Sequence, residues 1–369
     1  MRFLPETVWK IISERIKILF ERRRLMKKTF LILCAAMVSC LLQAQDNSLT
    51  ELKAEVRIDY QREWLDGSIN KPGTGFKGKY VNIILNGNIT PKFSYAYRQR
   101  LNKAHSDQTF FDATDWAYIS YMPNARWKFS AGKQVVSIGG FEYDKAPINL
   151  FICSEFWNNI PCYEIGVSAT YNIGGGNDRI VAQFCQSPFH ISSEDMYGYN
   201  LMWIGNHGVF NTIYSANYME FLPGKYIFYL ALGNEFRFGG ETYLKLDLMS
   251  RSVSRHSMLE DCSVMTELSH RYKKLNMFCK FTYDVNKSGR EGDYCVLNGT
   301  ELTSLGAGLE FFPVKGKDDI RLHANAVYVW GNNSNPHGTL LPKQTRIDIG
   351  ITWRMNILSY IHKIVGKHE

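Results

Sequence analysis

The most constraining feature of this chain is its last patterned stretch, residues 345–355, in which polar and apolar residues alternate without a break. In a β-strand, successive side chains point to opposite faces of the sheet. This strand must therefore separate an aqueous environment from an apolar one. Its polar face carries Arg346, Asp348, Gly350, Thr352 and Arg354, and its apolar face carries Ile347, Ile349, Ile351, Trp353 and Met355.

The same two-residue period recurs along the chain in segments bounded by turn residues, which predicts an all-β fold. The pattern indicates about sixteen strands, each eight to eleven residues long in most cases. The predicted strands are 52–62, 79–88, 92–101, 115–122, 126–135, 163–173, 179–187, 198–204, 209–218, 226–236, 242–249, 264–271, 275–285, 304–312, 320–330 and 345–355.

The links between these strands alternate in length. Every second link is a short turn, such as 89–91 or 123–125, whereas most of the others are longer, such as 63–78 and 286–303. Outer-membrane barrels have short periplasmic turns and longer extracellular loops. We therefore predict a transmembrane antiparallel β-barrel with both ends in the periplasm. Sixteen strands leave a lumen wide enough for an aqueous channel.

The polar faces of the strands should line this lumen, because a basic side chain facing lipid at mid-depth costs about 2–4 kcal/mol. Rings of charged side chains tune the selectivity of pores. The alternative is that acidic neighbours neutralise these residues within the wall, and Asp115 on the fourth strand is placed to do so. The candidates for setting anion selectivity are Arg57, Arg98, Arg100, Arg126 and Lys128.

The third long link, residues 136–161, is rich in aromatic residues. Links of more than about 15 residues without secondary structure are uncommon, and they are usually functional or disordered. A loop with this many apolar residues should pack against the rest of the fold. We expect it to bend into the lumen and narrow it. The alternative is that it caps the mouth of the barrel. Its constriction candidates are Phe141, Tyr143, Lys145, Phe156 and Trp157.

The six cysteines after residue 44 show no C-x-x-C spacing, and no histidine stands at metal-ligand distance from them, so we expect no metal site. Cys153 and Cys162 share the third long link. In an oxidising compartment they could form a disulfide.

The amino-terminal region predicts export. Residues 26–44 have the layout of a signal peptide: a basic start, an apolar stretch and a small residue, Ala44. Residues 1–25 would be an upstream extension that is not translated, or else a basic amphipathic helix. Residues 1–44 hold nine Lys/Arg and three Asp/Glu, so most of the net charge of +8 lies there. The rest carries no basic patch interleaved with aromatics, and no nucleic-acid partner is expected.

Several residues, taken in order, resemble the phosphate-selective porin O and P family in its Bacteroidetes-type form. They are V-R-I-D-Y-Q in the first strand, Lys77-Gly78-Lys79 before the second, Ala131-Gly132-Lys133-Gln134 ending the fifth, and the long third link. In the last strand, the spacing polar-x-Gly-x-x-aromatic-x-apolar is similar to the insertion signal of outer-membrane barrels. The resemblance covers residues 52–355.

This resemblance implies a homotrimeric porin of the bacterial outer membrane, through which small, phosphate-like anions or polar solutes diffuse passively without a cofactor. Its partners would be outer-membrane lipid and the barrel-assembly machinery. The barrel would span residues 45–355, followed by a short periplasmic tail, 356–369. Two departures stand out: the third link has Lys145 as its one basic residue, and the chain continues past Met355.

The sequence contains no recognisable catalytic arrangement. Its histidines are scattered, and neither a G-x-S-x-G nor an H-E-x-x-H motif occurs. We therefore expect no enzymatic activity. The alternatives to a porin are a structural or adhesive barrel with a plugged lumen and a barrel enzyme.

Overall fold

The computed structural model describes residues 49–103, 109–190, 195–253 and 259–359. The predicted upstream extension and signal peptide lie outside the described residues, as do residues 360–369 of the predicted tail. Residues 357–359 are helical. The chain divides into two units, residues 1–49 and 50–369, and the sheet described below belongs to the second from Thr50 onward.

Sixteen long strands form the fold, and all the predicted strands are present with ends shifted by a few residues. A two-residue segment, Ser68–Ile69, adds a small hairpin to the first of them. The long strands are β1 (Leu49–Leu65), β2 (Gly75–Thr90), β3 (Phe93–Arg100), β4 (Thr114–Tyr121), β5 (Trp127–Val135), β6 (Tyr163–Ile173), β7 (Asp178–Gln186), β8 (Tyr197–His207), β9 (Phe210–Leu222), β10 (Lys225–Phe238), β11 (Thr242–Ser252), β12 (Asp261–Tyr272), β13 (Leu275–Asn286), β14 (Glu301–Phe311), β15 (Ile320–Asn332) and β16 (Gln344–Asn356).

The sheet closes into a barrel. Each strand pairs with its neighbours in the chain, and β1 pairs with both β2 and β16. The β1–β16 seam is antiparallel and continuous from the pair Lys53–Asn356 to the pair Leu65–Gln344. Because hydrocarbon offers backbone groups no hydrogen-bond partners, a spanning sheet must close in this way. The predicted sixteen-stranded antiparallel barrel is confirmed.

Short and long links alternate as predicted, with one exception. The links 91–92, 122–126, 174–177, 208–209, 239–241, 273–274 and 312–319 lie at one end of the barrel, which the loop-length rule identifies as periplasmic. The links at the other end have at least eight residues, a length that only 312–319 reaches at the periplasmic end, except that the link between β9 and β10 is only residues 223–224.

The pattern of burial is reversed relative to a soluble protein. On β1, the polar residues Arg57 and Asp59 are buried, whereas Ile58 and Tyr60 between them are exposed. On β14, Leu305, Ala307, Leu309 and Phe311 are exposed and alternate with buried residues. The apolar rows therefore form the outside of the barrel and the polar rows face the lumen, as the cost of placing charge in lipid requires.

Aromatic side chains cluster near both ends of the outer surface. Tyr218 and Tyr226 stack with ring centroids 4.3 Å apart near the extracellular end, and Phe93 stacks on Tyr121 at 4.7 Å near the periplasmic end. Membrane barrels carry aromatic girdles at the two interfaces of the bilayer. These rings contribute to the aromatic content of the chain, which is 14%.

The described helices are short. Besides residues 357–359, they are α1 (Phe141–Asp144) and α2 (Glu155–Asn159), with 3₁₀ turns at Pro147–Asn149 and Gly174–Gly176. Within the described ranges, none is long and apolar enough to cross a bilayer. In the same ranges, no group of three or more His, Cys, Asp or Glu residues could hold a metal ion.

Gly350 tests the seam. A Cβ added there would lie 2.5 Å from the carbonyl oxygen of Ile58 and 2.7 Å from Nε2 of His323. We expect Gly350→Val to destabilise the barrel by about 1–3 kcal/mol through overpacking. Urea unfolding in detergent micelles measures this. Gly78→Val is the matched control, because a Cβ at Gly78 meets nothing within 4 Å. Equal unfolding midpoints for the two variants would contradict the prediction.

Candidate functional site

The third loop, residues 136–162, runs inside the barrel. It enters along β9, where the Asn217 side chain donates a hydrogen bond to the Ser137 carbonyl at 2.8 Å. The Gly140 backbone N–H donates to the Ile213 carbonyl at 3.1 Å. Gly140 has a φ of 103°, which favours glycine. It passes so close to Gly233 on β10 that a Cβ on Gly233 would lie 2.7 Å from its Cα.

Two carboxylates on the barrel wall hold the two helices of this loop. Asp247 on β11 accepts hydrogen bonds from the backbone N–H groups of Phe141 and Glu142, at 2.9 and 2.7 Å. Asp284 on β13 accepts from those of Glu155 and Phe156, at 2.9 and 3.2 Å. The first N–H groups of a helix lack internal partners and favour negative charge. The wall thus caps each helix from outside its own segment.

Arginines on the opposite wall bind the carbonyl side of the loop. Arg57 donates to the Leu150 carbonyl at 2.6 Å, and Arg321 donates to that of Ile148 at 3.1 Å. The Arg57 guanidinium also lies 4.4 Å from the centre of the Phe151 ring and pairs with Asp59 at 2.7 Å. Arg57 therefore faces the lumen as predicted, but its hydrogen bonds are divided between the loop and Asp59.

Two ion pairs join the loop to β12 and β13. Lys280 pairs with Glu142 at 2.6 Å, and Lys145 pairs with Glu267 at 3.0 Å. Burial lowers the pKa of Lys145, and the Glu267 carboxylate opposes this shift. Lys145, the one basic candidate for the constriction, thus has an acidic partner.

The aromatic candidates of the loop differ in position. Tyr143 and Phe156 are buried in an apolar cluster with the wall, and Trp157 packs against its edge. Phe141 is half-buried, with Lys245 Nζ 5.9 Å from its ring centre. All four lie inside the barrel, in agreement with a loop that bends inwards.

The four basic candidates on β3 and β5, which the strand pattern would place close together on the lumenal wall, do not form one cluster. Arg98 and Arg100 pair with Asp115 at 2.8 and 3.3 Å, and Arg98 also lies 3.8 Å from the ring centre of Trp116. Arg126 is exposed in the turn before β5, because Asn124 accepts hydrogen bonds there and ends the turn at Trp127. Lys128 remains on the lumenal face.

The possible disulfide between Cys153 and Cys162 does not form, and both thiols are free. The charged groups around Cys153 include Lys280 on β13, whereas those around Cys162 include Arg98 on β3. Helix α2 separates the two cysteines along the loop, so they approach different parts of the wall. Burial raises the pKa of each thiol to about 11, which makes both unreactive at neutral pH.

A cavity of about 590 Å³ remains between the third loop and the inner faces of β3–β8. It extends from the periplasmic turn 122–126 to the loop. Lys128 on β5 and Arg179 on β7 line it, and neither has an ion-pair partner in the described part of the chain. Asp144 of the loop lines it as well; burial raises the pKa of this carboxyl, and Arg179 opposes the shift.

Sequence reasoning missed several residues that build this site: Asp247, Asp284, Glu267 and Arg179. The alternation places Asp247 on the lumenal face, but it carries no signal that the carboxylate caps a helix more than a hundred residues away in the chain. Arg179 was missed because apolar Val181 shares its face of β7 and blurs the pattern.

Comparison with known proteins agrees with this geometry. The model of the family phosphate-selective porin O and P matches residues 51–221. The match covers strands β1–β9 of the barrel. The protein is an outer-membrane porin, a channel for passive diffusion.

Solved porins share the fold. The anion-selective porin from Comamonas acidovorans is 11% identical with a TM-score of 0.60, covering 84% of this chain and 99% of that one. A loop-deletion mutant of OmpT, an outer membrane protein of Vibrio cholerae, is 11% identical with a TM-score of 0.57, covering 84% and 100%. A mutant of the Rh. blastica porin is 12% identical with a TM-score of 0.54, covering 84% and 99%. No curated protein matches the sequence.

Removing a wall carboxylate should loosen the loop. Asp247→Ala deletes the acceptor for two backbone N–H groups, and a hydrogen bond to a charged group contributes about 1.5–3 kcal/mol. We expect larger and more variable single-channel currents in planar bilayers. Asp66→Ala is the control, because Asp66 forms an exposed ion pair with Lys343 in the outer loops. Currents that match those of the unmodified protein would show that Asp247 does not hold the loop.

Proposed function

We propose that this porin passes small anions, phosphate among them, along the cavity between the third loop and β3–β8. The observation that supports this route is the pair of basic residues, Lys128 and Arg179, that line it without an acidic partner within ion-pair distance in the described residues. Positive charge in a narrow, low-dielectric passage raises the local concentration of anions. Arginine is suited to phosphate oxygens because its fork donates two hydrogen bonds.

The proposed preference is for anions as a class and not for phosphate alone. Lys145 is paired with Glu267, and Arg98, which also lines the cavity, is paired with Asp115. Asp144 adds a carboxylate to the same cavity. This leaves two basic side chains that a passing solute can contact, which are too few for a series of phosphate-binding sites along the pore.

Related porins lend support to two parts of the proposal. The Comamonas acidovorans porin is described as anion-selective, and OmpT of Vibrio cholerae is described in a trimer form. We infer that this chain likewise assembles as a homotrimer in outer-membrane lipid after insertion by the barrel-assembly machinery. We further propose that it has no enzymatic activity, since porins are channels and its lumenal charges are used in holding the loop and attracting solute.

Charge reversal on the proposed route tests the function. Lys128→Glu and Arg179→Glu should each shift the reversal potential in a salt gradient towards cation preference, and the double variant should shift it further. Arg62→Glu is the matched control, since the exposed Arg62 lies on the outer face of β1 beside Trp64, 5.7 Å from its ring centre. Cation preference in the unmodified protein, or no shift in the double variant, would overturn the proposed route.

Acid should strengthen anion preference. The pKa of Asp144 is raised by burial, so lowering the pH from about 7 to about 5 should neutralise a larger share of this carboxyl than of an ordinary aspartate. The loss of its negative charge leaves Lys128 and Arg179 unopposed. Asp144→Asn should show the acid-like selectivity already at neutral pH and lose most of the pH dependence. A pH dependence unchanged in this variant would assign the effect to other groups.

One observation favours a second candidate, a barrel with a plugged lumen. The third loop fills the lumen from β9 around to β1 through the hydrogen bonds and ion pairs described above. If the purified protein folds but gives no current in planar bilayers, this structural role replaces the diffusion pore.

A further inference from the structure

The inner faces of β9–β11 become apolar towards the extracellular end, unlike the rest of the lumenal wall. Met219, Ile227, Tyr229 and Met249 point inwards there and are at most 2% exposed. On β10 the outward row is apolar as well, with Phe228 beside Tyr229. Apolar side chains on a lumenal face require a protein cover, because their contact with the water of the lumen is unfavourable.

The cover comes from the long link between β13 and β14, residues 287–300, here called the mouth segment. Its Cys295 and Val296 are fully buried. The Tyr229 hydroxyl donates to Cys295 Sγ at 3.4 Å, and the Asn159 amide donates to the Cys295 carbonyl at 2.8 Å. The mouth segment thus contacts the wall and helix α2 of the third loop at the same time.

The mouth segment also occupies the place where an extracellular loop is missing. The link between β9 and β10 is only two residues, so it cannot cover the lumen itself. Gly292 lies against Phe221 of β9, where a Cβ would approach the ring to 2.6 Å. The Tyr294 ring lies 6.3 Å from that of Phe221 and 5.9 Å from that of Phe189.

A buried ion pair fastens the mouth segment to the wall. Arg251 of β11 donates from Nε to Oδ2 of Asp293 at 2.5 Å, and its side chain is fully buried. Its other nitrogens donate to Ser263 Oγ and to the Val285 carbonyl. Oδ1 of Asp293 accepts from the backbone N–H groups of Cys295 and Val296, at 3.0 and 3.1 Å. Undocking of the segment would leave the buried Arg251 charge without its carboxylate, and removal of the Asp293 side chain would do the same.

We propose that the mouth segment is a second constriction element, held by the Arg251–Asp293 pair, which closes the lumen above β9–β11 and lowers the size limit for solutes. The proposal rests on the diffusion function argued above. It assigns the size limit to two inward segments that pack on each other, and it makes Arg251 a positioning residue outside the solute route.

Thiol labelling in the unmodified protein gives the first test, and it does not depend on conductance. A charged methanethiosulfonate reagent should label Cys295 slowly, with mass mapping of peptides to separate it from the other cysteines. Asp293→Ala should accelerate labelling by about ten-fold or more, since local opening then costs less. Rapid labelling of Cys295 in the unmodified protein would overturn the proposal, whatever the protein conducts.

Conductance gives the second test. Asp293→Ala and Arg251→Met should each raise single-channel conductance about two-fold, because a sixteen-stranded lumen is wide once its filling is removed. The sign of the reversal potential should stay, since Lys128 and Arg179 are untouched. Asp318→Ala is the matched control, as it breaks the exposed Arg271–Asp318 pair, of 2.7 Å, near the periplasmic turns.

The remaining outcomes separate the two proposals. If Asp293→Ala does not fold, judged by heat-modifiable migration on gels, Asp293→Asn keeps an acceptor for Cys295 and Val296 and should give intermediate labelling. Folded variants with unchanged labelling and conductance would remove the mouth segment from the size limit while leaving the diffusion function intact. A protein without any current, yet with Cys295 protected and then released by Asp293→Ala, would end the diffusion function alone.

Discussion

The closure of β1 onto β16 is the constraint from which the rest of this structure follows. A sheet in hydrocarbon can leave no backbone edge unpaired, so the strands must form a complete ring. Once the ring is closed, successive side chains along each strand point alternately to the lipid and to the lumen. The seam meets this demand with tight packing, in which Gly350 gives Asp59 and His323 the space to approach each other at 3.0 Å.

The lumenal charges serve mainly as a scaffold. Asp247 and Asp284 bind the helix starts of the third loop, and Arg57 and Arg321 bind its carbonyl groups on the other side. Much of the loop backbone has no hydrogen-bond partner within a helix or sheet of the loop itself. The surrounding wall supplies those partners. The basic side chains that remain without an ion-pair partner on the cavity are few, and they lie near its periplasmic end.

The sequence sufficed for the barrel and failed for the contacts inside it. Strand positions, strand number and the inward third loop follow from periodicity and link length, which are local signals. The predicted strand 126–135 began one residue too early. Arg126 lies in the turn, because the Asn124 side chain extends the turn to Trp127. The possible disulfide does not form, because the two cysteines, nine positions apart, approach different parts of the wall, and their separation in the sequence does not reveal this. Near its extracellular end, β10 is apolar on both faces, so the sequence does not show which face points to the lumen. The docked mouth segment shows this in the structure.

The placement of the unpaired basic residues along the barrel axis has an electrical consequence. Arg179 is the second residue of β7 and Lys128 the second of β5, so both lie near the periplasmic turns, below the third loop. Fixed charge at one end of a narrow passage makes ion accumulation depend on the direction of the applied voltage. The channel should therefore rectify, and the polarity of its larger current would report how the barrel is oriented in the bilayer.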